Sequence, residues 1–211
     1  MAESFGIPQL VDYLKQMGLR IANVDRKQEV IELAFHGNSG QWRMIVGFQQ
    51  SDEIRKLMLI VPHISHIAAK KRLECLEALM AVNYRIAMGK FGMDLDDGEV
   101  RLEESIPIAN GSISLQQFRL VFGALMQTVA MYHNLISRII YGNLAVREAL
   151  QLCEKDFFQH AEKAPEASNP VEVRQPEVRR DDSQQESPAE LNAIDVLAEV
   201  TRILEEHRKR E

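Results

Sequence analysis

His63 and His66 stand at i, i+3 and offer two imidazoles that a metal ion could share, but no carboxylate or third ligand lies near them in the chain. They read as a polar edge between Pro62 and the start of a helix. Asp94, Asp96 and Asp97 ahead of Gly98 have the outline of a calcium loop. Gly98, however, falls where an oxygen ligand is due, and the twelfth position, Ser105, is not the bidentate acid such a loop needs, so a hairpin turn accounts for them. Cys75 and Cys153 are the only cysteines and have no Cys or His at ligand spacing, which predicts reduced thiols in a cytoplasmic protein. No serine sits in a strand-to-helix elbow, and no glycine-rich phosphate loop exists. The residues therefore predict no catalytic group, no metal and no cofactor, and the chain is expected not to be an enzyme.

Charge narrows the partners. Of 31 acids and 25 bases, residues 165–211 hold twelve acids and seven bases, leaving 19 and 18 in the rest. So neutral a body has no electrostatic footprint for nucleic acid, and Lys70-Lys71-Arg72 reads as the solvated side of a helix. The N-terminus MAESFGIPQL lacks the basic start and apolar run of an export signal. Leu120 to Ser137 carries no formal charge over a length close to a membrane span, but Gln127, Thr128, His133 and Asn134 interrupt it and its apolar residues follow one stripe. It is read as a buried amphipathic helix, without membrane insertion.

The elements follow from periodicity. Pro8 opens a first helix that Gly18 stops. Val30 to Phe35 and Trp42 to Phe48 alternate as two strands of a hairpin, Trp42 being a core residue, and Leu57 to Val61 is a short apolar strand ended by Pro62. Arg20 to Val24 is either an edge strand or extended chain. From Ile67 to Asn83 a helix is expected to cover the sheet with Ala69, Leu73, Leu76, Leu79, Met80 and Asn83, the Asn83 amide capping it and steering the chain into the next strand. Ser114 and Gln117 form a capping box for a long helix to Tyr141, ended by Gly142. Its stripe of Phe118, Phe122, Leu125, Val129, Tyr132 and Ile136 is a candidate dimer or groove surface. Methionines such as Met58, Met80, Met88, Met93 and Met126 read mainly as core filling, or as part of an adaptable peptide groove.

Beyond Gly142 the chain changes character. Asn143 can cap a helical extension over 143–163, whose Val146, Leu150, Cys153 and Phe157 share a face. Residues 164–188 are rich in proline and charge, contain no aromatic residue and predict a disordered linker. Ser187-Pro188-Ala189-Glu190 then starts an amphipathic helix over 189–211. Its charged residues crowd one narrow stripe, whereas Leu191, Ile194, Leu197, Val200, Ile203 and Leu204 fill most of the remainder and predict protein binding.

Asn83 to Ile108, NYRIAMGKFGMDLDDGEVRLEESIPI, runs a helix into a hairpin. A two-residue turn at Asp97-Gly98 would set Leu95 against Val100, Asp94 against Arg101 and Met93 against Leu102, with Gly89 as a bulge. With KRLECLEALMAVNY before it, and with Asn83, Gly89, Phe91, Asp94 and Asp96 to Val100 in place, residues 1–142 resemble the YbjN family. That resemblance implies an α+β domain of about five antiparallel strands in the order α-βββ-α-ββ-α, similar to type III secretion chaperones, often dimeric and binding other proteins. The function expected is a non-enzymatic protein-binding module, an adaptor, assembly factor or chaperone that pairs with itself or with a client. The alternative is a sensory or regulatory domain that binds a small ligand, with the tail helix as its output.

Overall fold

Strand alternation from Ile21 onward builds a single antiparallel sheet, seen in a computed structural model that describes residues 5–163 except 38–39, 52–53 and 109–110. A first helix, α1 (Ile7–Gln16), precedes four strands: β1 (Ile21–Asp25), β2 (Val30–Gly37), β3 (Gly40–Ser51) and β4 (Ile54–His66). After α2 (Arg72–Arg85) come β5 (Lys90–Met93) and β6 (Glu99–Pro107), then α3 (Leu115–Tyr132), α4 (Leu135–Ile140) and α5 (Val146–Lys163). The sheet order is β1-β2-β3-β4-β6-β5. The class is α+β, as expected, with six strands rather than about five: of the two readings of Arg20 to Val24, the edge strand holds, as β1 paired with β2.

One face of the sheet is covered by helices. Ile31 and Leu33 of β2, Met44 and Val46 of β3, Leu57, Leu59 and Val61 of β4 and Val100 and Leu102 of β6 alternate into a sealed core. Phe118, Phe122, Leu125, Val129, Tyr132 and Ile136 lie in that same core, so the long stripe is spent on the protein's own interior and offers no surface to a second copy or a groove ligand. The helix carrying it is also not continuous. Its capping box forms as expected, with Ser114 Oγ accepting from Gln117 N and Gln117 Oε1 from Ser114 N. The backbone then flattens at Asn134 (φ −90°, ψ −1°), and α4 restarts on a new face that buries Leu135, Ile136 and Ile139.

Three further boundaries and one orientation differ from expectation. β4 does not stop at Pro62: the register slips between Val61 and Ser65, His63 takes φ 52°, and pairing with β6 resumes through His66. Proline's missing N–H is tolerated at such a bulge. Residues 67–71 are consequently outside α2, and Lys71 is its left-handed N-cap rather than a solvated helical residue. Its ammonium is bound by Ile139 O and Asn143 Oδ1, so Asn143 serves α2 instead of capping α5, which begins at Val146. α2 is also rotated from its expected orientation: Cys75, Ala78, Leu79 and Val82 face inward, while Leu73 and Met80 are exposed.

The extension belongs to the domain. α5 packs along α2, α3 and α4, burying Ala149, Leu150 and Cys153. Tyr132 donates to Glu154 (3.1 Å), which also pairs with Arg85, and Arg138 pairs with Asp156 (2.6 Å). The expected linker 164–188 and helix 189–211 lie outside the described residues, as do Leu191, Ile194, Leu197, Val200, Ile203 and Leu204.

Candidate functional site

The hairpin that stood out in the sequence is a structural knot. Asn83 reaches across to β5 like a neighbouring strand, donating from Nδ2 to Phe91 O (2.9 Å) and accepting from Phe91 N at Oδ1 (2.8 Å). It thus steers the strand as expected, without capping the helix, which runs on to Arg85. Gly89, at φ 75°, sits in the connection before β5 and is not a bulge; its N–H donates to Glu104 Oε2 (2.6 Å).

The turn is longer than two residues. Met93 faces Val100, Gly92 faces Arg101 and Phe91 faces Leu102, a shift of two from the expected register. A two-residue shift keeps every side chain on its face, so alternation could not distinguish the two pairings. What decides is the acid cluster, which closes the loop locally. Asp94 Oδ1 accepts from Asp96 N (2.8 Å), Asp97 Oδ1 accepts from Glu99 N (2.8 Å), and Gly98 N donates to Asp94 O (3.0 Å). Leu95, expected to pair with Val100, is left exposed at the tip.

The knot is tied to β4. Gly98 O accepts from Ile67 N (2.8 Å), and Glu99 Oε1 accepts from His63 N (2.9 Å) and lies 3.1 Å from His63 Nδ1. His63 therefore belongs to the β4 bulge, and His66 is an exposed strand end. Among the described residues no group of three His, Cys, Asp or Glu could hold a metal ion. Cys75 and Cys153 are buried and free. Burial pushes both thiols up, Cys153 to about 11, which keeps them protonated and weakly nucleophilic at neutral pH. Burial, with Glu154 adding to it, raises the Tyr132 phenol to about 12.

What remains is surface. The sheet face opposite the helices is not fully covered: Val30, Ile45, Met58 and Ile60 are half-buried there, flanked by the Arg101–Glu103 pair (3.0 Å). They line a shallow hollow of about 460 Å³, with a second of about 340 Å³ beside Ala34, Arg43 and Pro62. On the helical side, Leu73, Met80 and Tyr84 of α2 are 80%, 66% and 93% exposed. Sequence reading placed Leu73 and Met80 in the core because apolar residues surround this helix almost completely; the 7 and 4 spacing of the three was the available signal. Trp42 stacks on Phe35 (centroids 6.4 Å apart) and packs against the core.

A helix-backed antiparallel sheet with a self-satisfied hairpin and free apolar surface has the form of a binding domain. Residues 9–137 match the YbjN family, described as "Putative bacterial sensory transduction regulator", and the chain belongs to that family. A solved structure, "Crystal structure of YbjN, a putative transcription regulator from E. coli", is 12% identical, covering 65% of this chain and 94% of its own, with a TM-score of 0.41. No curated protein matches the chain. No helix among the described residues is long and apolar enough to cross a membrane.

Proposed function

We propose that this protein is a non-enzymatic regulatory module that works by binding protein, as an adaptor, assembly factor or chaperone-like component. The observation carrying this reading is where the polar groups of the family-like hairpin are spent. Asn83, Asp94, Asp97, Glu99 and Glu104 each bind the backbone of their own chain, while bulky apolar side chains on α2 face solvent. Polar side chains bound to backbone build a scaffold, and grouped exposed apolar residues are what a partner can cover. The family's description as a regulator agrees with this. The amphipathic segment 189–211 is the second binding element, through Leu191, Ile194, Leu197, Val200, Ile203 and Leu204, and a homodimer would use surface other than the α3 stripe.

The test compares full-length chain with a chain ending at Pro165 as baits in the native cell, with cross-linked partners identified. The expected result is a defined partner whose recovery falls at least tenfold without the tail. Equal recovery would remove the tail from the binding role, and absence of any specific partner would defeat the proposal. The alternative, small-ligand sensing with the tail as output, is supported by the hollow beside Arg101 and Glu103. Its signature is a large thermal shift with a metabolite.

A further inference from the structure

We propose that, until a partner displaces it, the chain's own segment 189–211 occupies the exposed stripe on α2, docked as a helix antiparallel to α2; this rests on reading that segment as a protein-docking helix. Leu73, Met80 and Tyr84 are spaced by 7 and 4, so they project from one side of α2, opposite to Cys75, Ala78 and Val82, which are buried. Eleven residues of helix present a strip about 17 Å long. The segment's docking side, read at the same helical spacing, is Glu190, Leu197, Thr201, Leu204 and Arg208.

The path of the chain brings the two together. α5 runs alongside α2 in the same direction, since Lys71 binds Asn143 at one end and Arg85 pairs with Glu154 at the other. α5 ends nine residues past Glu154, so the chain departs roughly 14 Å beyond the Tyr84 end of the stripe. Residues 164–188 are 25 in number, and a flexible linker of that length spans about 25–30 Å, enough to return the segment to the Tyr84 end while holding it at millimolar effective concentration.

The point of departure selects the direction: the chain leaves α5 beyond the Tyr84 end, so the segment's first turn meets that end and the helix runs back toward Leu73. Antiparallel docking also sets Glu190 toward Lys90, whose ammonium donates to Ile86 O at the end of α2, whereas the Leu73 end is mixed, with Lys70, Lys71 and Arg72 beside Glu74 and Glu77. In the antiparallel register Thr201 lies over Met80, Leu197 over Tyr84 and Arg208 over Leu73.

Oxidative cross-linking of the full chain tests this. A Met80→Cys/Thr201→Cys variant should form a disulfide within one chain, while Tyr84→Cys/Arg208→Cys, which only parallel docking could join, stays reduced; Cys75 and Cys153 are buried and should not compete. In parallel, amide exchange over 191–206 should accelerate at least tenfold in a Met80→Lys/Tyr84→Lys variant whose body melts as before. Cross-links solely between chains would assign the stripe to a second copy and overturn the proposal. So would no cross-link with unchanged exchange, or a joined Tyr84→Cys/Arg208→Cys pair. None of these outcomes touches the tail's role in partner capture, which the chain ending at Pro165 tests separately.

Discussion

Asn83 shows how a polar residue on an apolar helix face can be structural through and through. Its amide satisfies both backbone groups of Phe91, so Asn83→Ala orphans a part-buried donor and acceptor at once. The expected loss is about 2–3 kcal/mol, read from denaturant midpoints. Gly98 is constrained differently: at φ 81° a Cβ would lie 2.3 Å from Ile67 O, so Gly98→Ala should cost more than about 1–2 kcal/mol and loosen the tip from β4. The raised acids Cys153 and Tyr132 carry a pH dependence. Each is held protonated in the fold above the pH at which the unfolded chain releases its proton. Their contribution is complete below about pH 9 and is lost as pH rises through 11 and 12. Melting temperature should therefore fall across that window, and Cys153→Ala should flatten its lower half.

At the scale of elements, the α3 stripe and the α2 stripe exchange the roles their sequences suggest. Phe122 is fully buried against Phe35 and Phe118, so Phe122→Ala should cost about 3–5 kcal/mol. Leu73→Ser or Met80→Ser, each on the exposed side of α2, should change the stability of the body by less than about 0.5 kcal/mol. Thermal melts of the three variants check both claims; equal losses would refute the assigned orientations. Strand existence and pairing partners on β2 and β3 were legible from alternation, because period 2 reports a buried face directly. The β5–β6 register was not, because a shift of two preserves that face and the deciding hydrogen bonds come from Asp94 and Asp97. The β4 bulge was hidden for a related reason: Pro62 ends most strands, and only the Glu99 carboxylate meeting His63 N shows why this one continues.

For the molecule as a whole, α5 decides where the domain ends. The family match stops at 137, yet Glu154 is shared by Arg85 and Tyr132, Asp156 pairs with Arg138, and Leu150 and Cys153 are sealed against the bundle. A chain ending at 142 should consequently melt at least several degrees below one ending at 163, which calorimetry on the two would show. Equal melting would make α5 a mere appendage. Because α5 also sets the point from which residues 164–188 depart, it determines which face of the domain the acidic tail can reach.

Local pattern alone determined most strands, the capping box at Ser114 and the near-neutral body with its acidic tail, because periodicity and composition are properties of neighbouring residues, and the family resemblance added the α+β class. Which side of α2 is buried, where the hairpin tip closes, why β4 continues past Pro62 and what α5 packs against were settled only in three dimensions. Each depends on a contact between residues far apart in the chain, Glu99 with His63 and Glu154 with Arg85 among them, and no local signal carries the free energy of such a contact.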